Sequence, residues 1–129
     1  MASNCIGVCL YPALFNIPSV QQTLEAYTAI TGREMDLREY LKVGERTICI
    51  QRAFNAREGF DRKDDKLPKR ILNEPVKGGK YDGQRIENFD AMLDEYYKES
   101  GFDQATGWPS RSKLEEVGLK DVADELYQN

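Results

Sequence analysis

The sequence predicts an all-α fold built from several helices of unequal length. Apolar residues recur every three or four positions in separate stretches, and these stretches are bounded by residue types that start and end helices. The chain has 129 residues, of which 40% are hydrophobic and 31% are charged. That is enough for one domain with a modest core and too little for two, so we expect a single domain over residues 1–129.

Two helices are predicted before residue 58. The first covers about residues 19–31, where Ser19 starts a capping box and Gly32 supplies the left-handed residue that ends a helix. Asp36 caps the second helix, which is expected to run to about Arg57. Residues 47–50 alone are typical of a strand, but helix-forming residues flank them on both sides, so they are assigned to the helix.

A long loop is predicted from Phe60 to Ile86. This stretch holds many charges, Pro68, Pro75 and a run of glycines, which together are typical of a loop. Loops longer than about 15 residues are uncommon in compact domains unless they are functional, disordered or held by other structure.

Three further helices are predicted after this loop. Asn88 caps the first and Gly101 ends it, Ser112 is expected to cap a short second helix, and Gly118 separates that helix from the last. The first carries an apolar stripe at helical spacing, formed by Phe89, Met92, Leu93, Tyr96 and Tyr97. The aromatic residues assigned to the core are Tyr96, Tyr97, Phe102 and Trp108.

The charge and composition exclude several classes of function. With 18 basic and 22 acidic residues the net charge is −4, which argues against nucleic acid as a partner. Histidine is absent, which argues against zinc proteases, zinc deaminases and histidine-dependent triads. No glycine-rich phosphate loop or nucleophile-elbow motif occurs. Three cysteines without a secretory leader indicate a reducing compartment, so we expect a cytoplasmic protein.

The apolar run over residues 6–15 is too short to cross a bilayer, and Pro12 interrupts it. We therefore expect no membrane span and place this run in a folded interior. An apolar run so close to the first residue is unusual, because termini are commonly exposed. This suggests that the chain is a piece of a longer protein.

Two groups of residues could carry chemistry. Cys5 and Cys9 are four residues apart and would share one face of a helix, but with Cys49 they give at most three thiols and no histidine completes a metal site. On spacing alone, small buried apolar residues are the favoured interpretation of these cysteines. Asp64 and Asp65 have basic residues on both sides, which favours a salt-bridged or solvated face over an acid–base pair.

Several segments resemble the C-terminal part of the aldehyde:ferredoxin oxidoreductases, the tungsten-pterin enzymes. The resemblance covers essentially the whole chain, and the Arg-Glu-Gly-Phe stretch at residues 57–60 is a specific signal. The segments that carry it are residues 4–11 (NCIGVCLY), 53–68 (AFNAREGFDRKDDKLP), 93–97 (LDEYY), 101–103 (GFD), 107–109 (GWP) and 114–119 (LEEVGL).

This resemblance implies a fold and an activity. Members of the family use a β-rich N-terminal domain and two helical domains to hold a tungsten bis-pterin beside a [4Fe-4S] cluster, and they oxidise aldehydes to carboxylic acids with ferredoxin as electron acceptor. The chain would then be an irregular multi-helix C-terminal domain with a long ordered loop. Its partners would be the upstream domains of its own parent chain, ferredoxin and the aldehyde substrate. The fragment alone is expected to be inactive and to bind no cofactor.

The resemblance also assigns site residues. The family's Asp-x-x-Gly-Leu-Cys motif matches Asn4, Gly7, Val8 and Cys9, so Cys9 would be the fourth cluster thiolate and Asn4, Gly7 and Val8 would line a pterin. Asparagine stands where the family has aspartate, which replaces a pure acceptor by a group that also donates, and Val8 replaces leucine. Cys5 and Cys49 are interpreted as structural residues.

Other interpretations remain open on the sequence. A stand-alone helical protein-interaction module would explain the amphipathic helices and the exposed loop, and a cysteine metal carrier would explain Cys9. Some relatives of the family act on a bound thioester rather than on an aldehyde. The mixed charges after Phe60 are further expected to pair with another domain or subunit.

Overall fold

A computed structural model describes residues 2–9, 11, 15 and 18–128 of the chain. Over these residues the fold is all-α, as predicted: it contains seven α-helices, one 3-10 helix and no strand, with an isolated β-bridge between Phe102 and Pro109. The helices are α1 (Ala2–Cys5), α2 (Val20–Thr31), α3 (Leu37–Arg57), α4 (Lys69–Asn73), α5 (Phe89–Ser100), α6 (Arg111–Glu116) and α7 (Lys120–Leu126), with the 3-10 helix at Arg62–Asp64. None of the helices in this described part of the chain combines the length and the apolar character needed to cross a membrane.

The ends of α2 and α3 agree with the capping signals in the sequence. Ser19 and Gln22 form the predicted capping box, since the Ser19 hydroxyl accepts from the Gln22 backbone N–H and the Gln22 side chain accepts from the Ser19 N–H. The Asp36 carboxylate accepts from the Glu39 N–H at 2.7 Å and starts α3. Residues 47–50 lie inside α3, so the helical neighbours decide their conformation.

The core lies where α3, α5, α6 and α7 meet. Cys49 is buried in it, and this burial raises the pKa of its thiol, so Cys49 is an inert apolar residue, as expected. Two aromatic predictions were wrong: Tyr96 is 47% exposed and Trp108 is only half-buried. The buried residues of the core are Cys49, Tyr97, Phe102, Leu114, Val117 and Ala123.

Ser110, and not Ser112, caps helix α6. The Ser110 hydroxyl accepts from the Lys113 N–H at 3.1 Å. Its own backbone N–H donates to the Gly101 carbonyl at 3.1 Å, and this contact holds Ser110 in the extended conformation of a cap residue. The helix therefore begins at Arg111, and Ser112 lies in its first turn.

Replacement of Ser110 by alanine is expected to lower the free energy of unfolding by about 1 kcal/mol, because one backbone N–H of the first turn loses its acceptor. Urea unfolding followed by circular dichroism measures this change. Ser112→Ala is the matched control and should stay within about 0.5 kcal/mol of the unsubstituted chain. A larger loss for Ser112→Ala than for Ser110→Ala would contradict the assignment of the cap.

The apolar run near the start of the chain does not lie in the interior as expected. Tyr11 is 68% exposed and Phe15 is 62% exposed, and their rings contact each other edge to face. Leu10 and residues 12–14, which belong to the same run, lie outside the described residues. The described part of the chain offers no surface that covers these two aromatic rings.

Candidate cofactor site

The candidate site begins with a tight turn at the end of helix α1. The Val8 N–H donates to the Ser3 carbonyl at 2.9 Å and the Gly7 N–H donates to the Asn4 carbonyl at 3.2 Å. These two bonds, together with a φ of +82° at Gly7, form a Schellman motif. The positive φ explains why glycine stands at this position, and the turn directs the chain after it away from the helix.

Cys5 and Cys9 do not share a helix face, because Gly7 ends the helical path between them. Both side chains are exposed, so the interpretation of this pair as small buried residues was wrong. The Cys5 sulfur lies 3.0 Å from the Thr47 hydroxyl oxygen on α3. Cys5 thus contacts helix α3, whereas the exposed Cys9 follows the turn.

Helix α1 packs on one face of α3, and this packing positions the turn. The Ser3 and Tyr40 hydroxyl oxygens are 2.6 Å apart in a buried hydrogen bond. A Cβ added at Gly44 would lie 3.2 Å from the Ala2 Cβ, so the glycine permits this close approach of the two helices. The residues of α3 that contact α1 include Tyr40, Gly44 and Thr47. The sequence signal for this contact is a single glycine inside an otherwise helical pattern.

The turn exposes groups that a cofactor could contact. Cys9 supplies one exposed thiol, and a Cβ at Gly7 would meet nothing within 4 Å, so the backbone in front of it is open to another group. Asn4 is exposed and Val8 is half-buried beside it. Over the described residues, no group of three or more cysteine, aspartate or glutamate side chains could hold a metal ion together. Cys9 therefore fits a cluster only as one ligand among others from elsewhere.

A second cluster of charged and polar side chains joins α3, α5 and the loop after α3. The guanidinium group of Arg52 donates to both carboxylate oxygens of Asp65, to the Gly107 carbonyl at 3.0 Å and to the Tyr97 hydroxyl at 3.2 Å. The Tyr97 hydroxyl in turn donates to Asp65. All three side chains are partly or fully buried, and they satisfy most of their hydrogen-bonding capacity with one another and with the Gly107 carbonyl.

The ionisation of this second cluster follows from its hydrogen bonds. Those from Arg52, supported by the Tyr97 hydroxyl, lower the pKa of Asp65 below its ordinary value. Burial and the hydrogen bond to Asp65 raise the pKa of Tyr97, and the hydrogen bond to Asp65 also raises that of Arg52. At neutral pH the cluster therefore holds a fixed ion pair and a neutral phenol.

Further contacts fasten the same loop at its start. The Arg62 backbone N–H donates to the Thr106 carbonyl at 2.8 Å, and the Trp108 indole N–H donates to the Phe60 carbonyl at 3.0 Å. The Asp64 carboxylate accepts from the Asp61 backbone N–H. The favoured interpretation of Asp64 and Asp65 is thus confirmed, because both form local hydrogen bonds or ion pairs.

Comparison with known proteins shows to which family the chain belongs. Residues 1–119 match the family model described as "Aldehyde ferredoxin oxidoreductase, domains 2 & 3". The chain belongs to the aldehyde ferredoxin oxidoreductase family. Among curated members, the tungsten-containing aldehyde ferredoxin oxidoreductase of Pyrococcus furiosus is 34% identical over 116 residues, which are 89% of this chain and 18% of that protein. The enzyme of the same name from Thermococcus kodakarensis is 34% identical over 92% of this chain and 19% of its own length.

Two further relatives of this chain have other names. The "Aliphatic sulfonate oxidoreductase, WOR-like subunit" of Pyrococcus furiosus is 31% identical over 117 residues, 84% of this chain and 18% of that protein. A solved structure, the active site complex BamBC of benzoyl coenzyme A reductase with 1,5-dienoyl-CoA, superposes with a TM-score of 0.66 at 29% identity. The superposed region is 83% of this chain and 15% of the chain in that structure. The chain thus spans less than a fifth of the length of these relatives, two of which are named as tungsten-containing enzymes.

Proposed function

We propose that the chain is the helical C-terminal part of a tungsten-pterin, iron-sulfur oxidoreductase, in which Cys9 is one thiolate ligand of a [4Fe-4S] cluster. The observation that carries this proposal is the exposed thiol directly after a glycine turn, in a chain of this family. A cubane cluster takes four thiolates, and they need not be close in sequence. The other three would come from upstream domains of the same protein.

Asn4, Gly7 and Val8 are proposed to line the pterin next to this cluster. The Gly7 backbone leaves room for close approach, the exposed Asn4 side chain offers both a donor and an acceptor, and the half-buried Val8 excludes water from one side. When bound, the tungsten-pterin group and the cluster would supply the oxidation of an aldehyde and the transfer of the released electrons, one at a time, to ferredoxin. The residues of this chain would hold a ligand atom and an open backbone in place.

The contact between α1 and α3 would give this site its precision. Tyr40 and Gly44 anchor the helix from which the turn departs, and Thr47 contacts Cys5. A metal-ligating residue on a turn held in this way loses little conformational freedom when the cofactor binds, which favours binding. Without the remaining thiolates and the walls of the pterin site, residues 1–129 as a single helical domain would neither hold the cofactors nor be active.

An aldehyde is the proposed substrate, since several tungsten-containing relatives are named for aldehydes and ferredoxin. The structural relative solved in complex with 1,5-dienoyl-CoA supports a thioester-linked substrate as the second candidate. Turnover of a panel of aldehydes and coenzyme A thioesters by the natural protein would separate the two candidates.

The test of the ligand role uses the natural protein that carries this chain. Cys9→Ala should lower the iron and acid-labile sulfide content by about a quarter or more and should change the electron paramagnetic resonance spectrum of the reduced protein, because one iron loses its thiolate. Cys5→Ala removes the neighbouring exposed thiol and should leave both unchanged. Unaltered iron and spectrum in Cys9→Ala would refute the assignment, as would a natural gene that encodes only these residues.

A further inference from the structure

Residues 66–86, which we call the basic arm, have a charge opposite to that of the rest of the chain. The arm holds six basic and two acidic side chains, a net charge of +4, whereas the whole chain has −4 and the residues outside the arm therefore −8. The basic residues are Lys66, Lys69, Arg70, Lys77, Lys80 and Arg85.

These cations differ in their ion pairs from the cations outside residues 66–86, the part of the chain that we call the body. Among the described residues, Arg70 has an ion-pair partner in Glu74, and the other five basic side chains of the arm have none. In the body, by contrast, most arginines and lysines lie against carboxylates, as at Arg52, Arg62 and Lys113. The charge of the basic arm is therefore available to a partner.

The arm also exposes apolar surface next to these charges. An open groove of about 970 Å³ lies between α4 and the residues that follow it. Its apolar lining includes Ile71, Val76 and Tyr81, each about half exposed, and its cations are Arg70, Lys77 and Arg85. Every residue from 73 to 85 is exposed. An apolar patch rimmed by charges is typical of an interaction site.

The basic arm is ordered by its own hydrogen bonds. The Val76 N–H donates to the Gln84 carbonyl at 2.8 Å, and the Gly83 N–H donates back to the Val76 carbonyl at 2.9 Å. The Gly78 N–H donates to the Asp82 carboxylate at 2.6 Å. At its base, the chain is held by the Asp65 pair with Arg52. The arm therefore needs little further ordering before it binds.

We propose that the basic arm docks on an acidic surface with an apolar centre, located on the remainder of the protein that carries this chain. The existence of that remainder rests on the proposed function. The chain matches less than a fifth of its curated relatives, so most of the surface it could meet lies on the other four-fifths. The charge of the arm selects an acidic surface, and the apolar groove excludes a purely electrostatic contact. A partner on the same polypeptide acts at high effective concentration.

The test is hydrogen exchange by mass spectrometry on the intact natural protein. We expect the amides of residues 69–86 to exchange slowly at low salt. In the double variant Lys77→Glu/Arg85→Glu they should exchange about tenfold faster, because docking is lost while the hydrogen bonds inside the arm remain. Arg33→Glu/Arg38→Glu is the matched control, since it reverses two exposed cations of the body that have no ion-pair partner among the described residues. This control should leave exchange in the arm unchanged.

Three results would overturn the docking proposal. The first is equal exchange of the arm in the unsubstituted protein and in Lys77→Glu/Arg85→Glu. The second is protection that falls on dilution, which would assign the arm to a second copy of the protein. The third is a natural protein that consists of these residues alone. Iron content does not depend on the arm, so a Cys9→Ala protein with full iron and a protected arm would refute only the ligand role of Cys9.

Discussion

Alanine in place of Gly107 is expected to destabilise the chain by at least about 3 kcal/mol. Gly107 has a φ of +72°, and an alanine in that region costs roughly 1–2 kcal/mol. Its Cβ would also lie 2.6 Å from Nη2 of Arg52 and 2.7 Å from the Tyr97 hydroxyl oxygen, so the ion-pair cluster has to move. Displacing Arg52 leaves the Asp65 carboxylate without its partner, which adds to the loss. Urea unfolding monitored by circular dichroism gives the difference in free energy.

Gly118→Ala is the matched control for this prediction. Gly118 has a similar φ of +81°, but a Cβ there would meet nothing within 4 Å. Only the backbone cost of roughly 1–2 kcal/mol then applies. If the two variants lost the same free energy of unfolding, the close contact at Gly107 would have no energetic consequence, and the account of the cluster would be wrong.

Asp65→Asn is expected to lower the free energy of unfolding at neutral pH by about 2–3 kcal/mol. Breaking a fully buried ion pair costs about 3–5 kcal/mol, and the Asp65 side chain retains 27% exposure, which reduces this figure. The asparagine keeps the size of the side chain but loses the charge that Arg52 and Tyr97 contact.

The pH dependence of this loss provides a second measurement on the same variant. The pKa of Asp65 is lowered in the folded chain, so its ion pair contributes full stability above the ordinary aspartate pKa of about 3.9. That contribution falls as the pH drops through the lower, folded pKa. The gap in stability between the unsubstituted chain and Asp65→Asn should therefore narrow below about pH 4.

Asp64→Asn is the control for both measurements, because its side chain accepts a local backbone N–H that an amide oxygen can also accept. Its stability at neutral pH should change by less than about 0.5 kcal/mol. A gap for Asp65→Asn that stays constant down to pH 2 would show that the charge of Asp65 does not stabilise the fold.

The helices could be predicted from the sequence where the deciding interactions are local. The capping box at Ser19 and the cap at Asp36 involve residues three positions apart, and both were found in advance. The cap at Ser110 was not, because the bond that holds Ser110 extended comes from Gly101, nine positions away. The local pattern predicted Ser112 as the cap, and this prediction was wrong.

At the candidate site, too, the interactions that decide the geometry join residues far apart in the sequence. The turn at Gly7 was not predicted, and whether Cys9 is exposed depends on how α1 packs against Tyr40 and Gly44, some forty residues later. The second cluster joins Arg52, Asp65 and Tyr97 across 45 positions, and no spacing in the sequence predicts their contact. The roles of Asn4, Gly7, Val8 and Cys9 rest on the resemblance, and they stay predictions until cofactors are measured.

Helix α3 carries, on one uninterrupted helix, both the residue that contacts α1 and the residue that binds the loop after α3. Gly44 contacts α1, and Arg52, eight residues further along, forms an ion pair with Asp65 at the base of the basic arm. The helical rise therefore sets about 12 Å between Gly44 and Arg52 along the axis. One extra residue between these points would turn one anchor by about 100° relative to the other. An insertion or deletion between Gly44 and Arg52 would therefore change the position of helix α1 relative to the Arg52–Asp65 ion pair.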